Sequence, residues 1–378
     1  MFTRTTSRFL PQRIRTVGIV GLALSLCVMV AIPSWGLTLP ETFTKLADSP
    51  TLKSPGIMLI EPKSDTTIYA KDVDVARAPA SVLKLLSMTT VLNVMSPDLV
   101  FKTAISETSS PNTYYLQGSN DPWLTESPFE AGKYDRAFLP TLINKVLTAH
   151  PNMHEITLQY KDVYLADIAS LSRYFSGRLV IHAVKAAAGN QPTTEVASIE
   201  SPKLAKIIEF TLLYSDNVLA DRLAHDAAHE LGFPNNRNGI QLAFEKTLAD
   251  LGIPSAGLKV FDGNGLSHET RITVRQIAEL LVAIRSHPKY QVIRDGLPVA
   301  GETGTLKTRF VNDAPNAVGL VRAKTGWINN TVSLAGYVNV DGEEYVFVTV
   351  ANHIPNAESA RAAARVVIDQ MLGSIAKP

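Results

Sequence analysis

A serine and a lysine three positions apart, Ser81 and Lys84, lie in the apolar stretch Ala78-Pro79-Ala80-Ser81-Val82-Leu83-Lys84-Leu85-Leu86-Ser87-Met88. Residues three apart on a helix share a face, so this spacing predicts one helical turn that lays the Lys84 amine over the Ser81 hydroxyl. Apolar surroundings disfavour the charged form of a lysine and lower its pKa. A neutral amine beside a serine can act as general base and make a weak nucleophile useful. The pattern itself is cheap, since it recurs at Ser286–Lys289 and Ser374–Lys377. Pro288 would break the helix that the first of these needs, and the other lies in the last residues, where order is least expected. Only Ser81 has a helix start before it and a hydrophobic run after it.

Two further stretches could complete such a site. Ser215-Asp216-Asn217 falls between a helix opened by Ser201-Pro202 and another running from Val218 to about Leu231. In a turn there, Ser215 and Asn217 would face a cleft while Asp216 points away. The serine could pass a proton between Lys84 and a leaving amine, and the asparagine could hold a substrate amide. Lys324-Thr325-Gly326 precedes a hairpin, Val332–Val340 and Glu344–Ala351, joined through the turn dipeptide Asp341-Gly342. A cation and a hydroxyl on a strand suit an anionic group, and Gly326 would let a ligand backbone approach closely. Taken singly, the first triplet reads as an ordinary helix–helix turn and the second as a strand end with a solvated lysine. His225 and His229 have the helical spacing of zinc ligands. Asp226, however, is too short for the glutamate's role, and both histidines are expected on an exposed face. Neither a metal nor an organic cofactor is expected.

The elements that must position these side chains follow from periodicity. Gly56–Ile60 and Thr66–Ala70 read as two strands around a Pro62-Lys63-Ser64-Asp65 turn, followed by the Ser81 helix through Met95. From 101 the character changes. Phe101–Ser106 and Asn112–Gln117 read as strands, as do Ile156–Gln159, Val163–Leu165 and Leu179–His182. Pro140–Ala149 reads as a helix burying Leu142, Ile143, Val146 and Leu147. Gly189–Thr194 reads as a boundary loop. Residues 101–194 are thus expected to be a subdomain inserted into a main domain made of 37–100 and 195–378. Helices at 240–251 and 273–286 flank Asp262-Gly263-Asn264-Gly265-Leu266-Ser267, and a helix from Glu358 to about Leu372 closes the chain.

Residues 1–36 read as a secretory signal: Arg4, Arg8, Arg13 and Arg15, an apolar run from Val17 to Ile32, then Ser34-Trp35-Gly36. The run is short for a spanning helix, which needs about 20 apolar residues. An uncleaved leader giving weak membrane association is the alternative. Losing these four arginines from 36 basic residues set against 35 acidic ones turns a formal charge of +1 into −3. No basic surplus points to nucleic acid. The single cysteine, Cys27, leaves with the leader, so the exported chain has neither disulfides nor thiol chemistry. The remaining roughly 340 residues can bury a substantial core. An exported protein of the periplasm or extracytoplasmic wall space is the expectation.

The order Ser-x-x-Lys, Ser-x-Asn, Lys-Thr-Gly matches the motif set of penicillin-binding proteins and serine β-lactamases. With the Asp121-Pro122 loop, Asp262–Ser267, Gly304-Thr305-Leu306-Lys307-Thr308-Arg309-Phe310 and Leu334-Ala335-Gly336-Tyr337-Val338, the chain resembles the exported D-Ala-D-Ala carboxypeptidase/endopeptidase family of low-molecular-mass penicillin-binding proteins. The resemblance implies an α/β serine β-lactamase/DD-transpeptidase-like domain, helices on an antiparallel sheet, with a smaller inserted α/β subdomain. It makes Ser81 the acylated nucleophile, Lys84 its base, and Ser215 and Asn217 assistants in proton transfer and alignment. Lys324 and Thr325 would bind a terminal carboxylate beside Gly326, and the N–H groups of Ser81 and Trp327 would form the oxyanion hole. The implied substrates are peptidoglycan stem peptides ending in, or cross-linked through, D-Ala, with β-lactams as covalent inhibitors. Two departures stand out: 134 positions separate Ser81 from Ser215, fewer than in many members, and Trp327 replaces a small hydroxyl residue. A serine β-lactamase or esterase and a non-catalytic wall-binding homologue are the competing readings. The first lacks a Glu-x-x-Leu-Asn element here, and the second does not need six intact site residues.

Overall fold

The computed structural model describes residues 37–187 and 191–378; the leader expected over residues 1–36 lies outside them. After a short helix, α1 (Glu41–Ala47), the apolar run Pro55–Ile60 forms β1 (Ser54–Glu61) and turns back into β2 (Thr66–Lys71). Every residue from Pro55 to Ile60 is buried, as befits a strand covered on both faces. A single turn of 3-10 helix, Ala80–Leu83, then leads into α2 (Lys84–Val94). Ser81 therefore stands on a tighter turn than an α-helix provides. Residues Lys84–Leu92 are buried on every side, which makes α2 an interior helix. Its hydroxyls bond back along the helix, Thr89 to Leu85 O (2.8 Å) and Thr90 to Leu86 O (2.9 Å).

Residues 102–200 build a separate sheet. Its strands are β3 (Lys102–Glu107) and β4 (Thr113–Gln117), followed by the two-residue pair β5 (Leu124–Thr125) and β6 (Ala137–Phe138) around α3 (Pro128–Tyr134). Next come α4 (Pro140–Ala149), β7 (Glu155–Lys161), α5 (Leu165–Tyr174), β8 (Val180–Lys185) and β9 (Glu195–Glu200). The order is β8-β7-β4-β3-β9, with β4, β7 and β8 parallel. Parallel neighbours need a crossover; the one from β4 to β7 contains α4, and the one from β7 to β8 is made by α5. Val163–Leu165, expected as a strand, is instead the entry to that helix. β9 pairs with β3 from Glu195 to Glu200, so this sheet continues past the boundary expected at 194. Leu116, Leu142, Ile143, Val146, Leu158 and Phe175 belong to an apolar cluster of its own, with Leu147 only packed against it.

The chain returns through α6 (Leu204–Leu213), α7 (Asn217–Glu230), α8 (Arg237–Asp250), α9 (Val274–Arg285) and α10 (Gln291–Asp295). β10 (Val321–Ile328), β11 (Thr331–Val340) and β12 (Glu343–Asn352) then join the first two strands, and α11 (Glu358–Gly373) closes the chain. The order β10-β11-β12-β1-β2 is antiparallel throughout. α2 and α6–α10 share one apolar core with sheet residues such as Met58, Ala335, Tyr337 and Val348. This is the expected arrangement of helices on an antiparallel sheet.

Buried charge clips the second sheet to α7. Arg222 pairs with Asp167 of α5 and lies 4.3 Å above the Tyr164 ring, while the Tyr164 hydroxyl donates to Asp226. Nearby, Asp121 accepts from Trp123 N at 2.8 Å through one oxygen, and its other oxygen has no partner among the described residues. Burial pushes both Asp121 and Asp226 up to about 7. Between the ordinary carboxylate range and that value the folded protein holds protons that the unfolded chain has released, so stability falls as pH rises through the window. Asp226→Asn removes one such group. Denaturant-derived stability of the variant should fall less steeply than wild type from about pH 5 to about pH 7, by up to about 1.4 kcal/mol per pH unit. Parallel curves would show that Asp226 does not titrate there.

Candidate active site

The turn bearing Ser81 is held in an uncommon backbone. Ala80 is fully buried with φ 52°, a left-handed conformation that costs an alanine about 1 kcal/mol or more. Four elements hold it. The Asn352 side chain bonds both backbone groups of Ala78 (3.0 and 3.1 Å), and Ser333 Oγ donates to Pro79 O at 2.7 Å. From below, Gly265 with φ 81° packs so tightly that a Cβ there would lie 2.0 Å from Ala80 O. Gly326 completes the cradle, because a Cβ on it would lie 2.3 Å from Ser333 Oγ and 3.0 Å from both Pro79 O and Ser81 N. The protein's own Ser81 turn thus comes as close to Gly326 as a side chain there would forbid, a demand of which the sequence held no sign.

Lys84 is fully buried, with Nζ 2.8 Å from Ser81 Oγ. Polar atoms, not the expected apolar ones, complete its shell: it donates to Asn217 Oδ1 at 2.7 Å and to Asn264 O at 3.0 Å. Burial lowers its pKa to about 7, against the pull of Asp216, Asp262 and Asp221. Asn264 sits in the Asp262–Ser267 loop, to which sequence reasoning assigned no role. Asp262 ties that loop by accepting from Gly265 N (2.7 Å) and Ser267 N (2.6 Å), and Asn264 Nδ2 donates to Asn217 O at 3.3 Å.

Ser215, with φ 59°, ends the link between α6 and α7, and Asp216 turns away to cap α7 by accepting from Leu219 N at 2.9 Å. That places Asn217 on the first helical residue, toward Lys84. Lys324 is not a solvated strand end. It is fully buried, donating to Ser215 Oγ at 2.8 Å and to Thr325 O at 2.9 Å. Burial, reinforced by repulsion from Lys84, pushes its pKa well down. The motif side chains therefore fall into two hydrogen-bonded groups, Ser81–Lys84–Asn217 and Ser215–Lys324, and Lys324 also meets the Thr325 carbonyl.

They open on a cavity of about 730 Å³ lined by Ser81, Ser215, Asn217, Thr325 and Trp327, with Thr305 beside them. The Trp327 ring is 55% exposed, with the Arg361 guanidinium 5.5 Å from its centre. Thr305 Oγ1 lies 2.8 Å from Thr325 Oγ1; its motif was visible in sequence but its place at the cavity was not. No aspartate or glutamate lines this cavity among the described residues. His225 and His229 lie elsewhere on α7. His229 is exposed, but His225 is half-buried with an unpartnered Nδ1 among the described residues, against the expectation that both face solvent. No group of three metal-ligating side chains occurs among the described residues. Gly326→Ala should destabilise the fold by about 1–3 kcal/mol, read as a lowered Tm. Ser333→Ala should cost less in the Gly326→Ala protein than in wild type, since it removes the atom nearest the new methyl group. An unchanged Tm in Gly326→Ala would refute the close approach.

Known proteins share parts of this sequence and its fold. A carboxypeptidase DacB of Mycolicibacterium smegmatis is 34% identical over 170 residues, covering 44% of this chain and 37% of the relative. A D-alanyl-D-alanine carboxypeptidase of an Actinomadura species is 32% identical over 167 residues, covering 43% and 31%. The chain thus spans well under half the length of these relatives. The crystal structure of penicillin binding protein 4 from Haemophilus influenzae superposes with a TM-score of 0.70 at 16% identity, covering 87% of this chain and 97% of that one. A predatory peptidoglycan endopeptidase from Bdellovibrio bacteriovorus gives 0.61 at 15%, covering 85% and 93%. These likenesses place the fold. The model of the D-Ala-D-Ala carboxypeptidase 3 (S13) family matches residues 147–374, a range that holds Ser215, Asn217 and the Lys324–Trp327 strand and takes in more than half the chain. With its fold and two of its three motifs inside that match, the chain belongs to the D-Ala-D-Ala carboxypeptidase 3 (S13) family.

Proposed function

We propose that the protein is an exported serine DD-peptidase that hydrolyses peptidoglycan stem peptides ending in, or cross-linked through, D-Ala. The observation that carries this reading is the buried Lys84 amine, 2.8 Å from Ser81 Oγ with its pKa lowered to about 7. Such an amine is substantially neutral near neutral pH and can take the Ser81 proton as Oγ bonds to the D-Ala carbonyl carbon. The backbone N–H groups of Ser81 and Trp327 receive the oxyanion. As the peptide C–N bond breaks, the proton passes to the leaving amine, with Ser215 and its neighbour Lys324 as the relay. Water then adds to the ester, the carbon–Oγ bond breaks, and Ser81 regains its proton. Lys324 and Thr325 bind the terminal carboxylate of the substrate. The cavity lining carries no carboxylate that would activate a deacylating water on a β-lactam, which favours a peptidase over a β-lactamase. Residues 1–36 act as the leader, and the segment that carries the second sheet, residues 102–200, as an insertion in the peptidase domain.

Incubation with a labelled penicillin followed by peptide mapping tests the reading. Wild type should carry the label on Ser81 and Ser81→Ala should carry none; label elsewhere, or none on wild type, would overturn it. The rate of acylation should also rise with pH through about 7 and then level, because the neutral form of Lys84 is the base. A rate that keeps rising toward the ordinary lysine range would remove Lys84 from that role.

A further inference from the structure

We propose that Thr305 supplies the second side-chain hydroxyl of the carboxylate subsite, next to Thr325, and so selects peptides with a free C-terminal carboxylate. The inference rests on the DD-peptidase reading for its substrate, but its geometry is independent of the chemistry at Ser81. Side chains two apart on a strand share a face, so Thr325 and Trp327 of β10 both reach the cavity. Trp327 brings a ring held by Arg361 and no hydroxyl. A carboxylate offers two oxygens and is bound best by paired donors.

The two arginines at the cavity are already engaged. Arg309 pairs with Asp369 and Arg365 with Glu358. Lys324 is fully buried and donates to Ser215 and to Thr325 O. The missing donor comes from outside the strand. Thr305 Oγ1 stands 2.8 Å from Thr325 Oγ1. When each hydroxyl turns its proton from the other toward the cavity, the pair presents two parallel donors.

The placement is built and not incidental. Thr305 lies on the short 3-10 turn Gly304–Leu306, with Leu306 fully buried beneath it and its carbonyl accepting from Gly301 N at 3.0 Å. Gly304 has φ 53°, and a Cβ there would lie 2.4 Å from Leu213 O, at the end of α6. Thr305 is thereby referenced to the same helix end that presents Ser215.

Equilibrium binding in the Ser81→Ala protein tests this without requiring turnover. The probes are a diacetylated L-Lys-D-Ala-D-Ala tripeptide and its C-terminal carboxamide. The acid should bind more tightly than the amide, and Thr305→Ala should weaken the acid about tenfold to hundredfold, the loss of one bond to a charged group, while leaving the amide unchanged. Thr305→Ser should restore the acid. Equal loss on both ligands would reduce Thr305 to a structural role, and no acid-over-amide preference, or no effect of Thr305→Ala, would overturn the proposal. Penicillin labelling of wild type fails or succeeds separately, so a fault in the DD-peptidase reading is distinguishable from a fault in this one.

Discussion

Two lysine side chains are fully buried, Lys84 and Lys324, and neither makes a salt bridge among the described residues. Taking an ammonium out of water is costly unless its hydrogen bonds are met, and here they are met by neutral oxygens: Ser81, Asn217 and Asn264 for one, Ser215 and Thr325 for the other. The rest of the architecture follows from that requirement. An interior helix is needed to carry Lys84, a loop from the far side must offer a carbonyl, and the third sheet strand must deliver Lys324 to the end of α6. Carboxylates stand at a distance, as Asp216, Asp262 and Asp221, where they temper the pKa of Lys84 without contacting it.

The sequence made the cluster of motif side chains more legible than its supports. The order of three short motifs singled out Ser81 from two other Ser-x-x-Lys patterns, and apolar runs outlined α2, the closing hairpin and the last helix. What stayed hidden depends on contacts between distant segments. Ala80 at positive φ is invisible because an alanine gives no hint of it; Asn352, Ser333 and Gly265 impose it from well over a hundred positions away. The Asp262–Ser267 loop displays turn chemistry, yet its carbonyl partner for Lys84 exists only in the fold. Val163–Leu165 has strand composition but sits where parallel pairing demands a helix.

The second sheet is more than an appendage. Its contacts with α7 run through Arg222–Asp167 and Tyr164–Asp226, within a few turns of Asn217 at the start of that helix. Residue Asn217 accepts from the Lys84 amine, so the helix that this sheet braces is also the one that holds that amine in place. Two buried pairs are enough to tie that sheet's segment to the helix.

The antiparallel sheet joins the two ends of the chain, for β1 from Ser54 to Ile60 pairs with β12 from Val346 to Asn352. Loops of that span are closed late, since their entropy must be overcome before the pairing repays it. The two strands that back the Ser81 turn, β10 with Gly326 and β11 with Ser333, belong to that same sheet. Until they pair, nothing bends the backbone that carries Ser81 and Lys84 into place. The contact between the two side chains is thus completed at the end of folding and not along the way, a matter of timing written into the strand order.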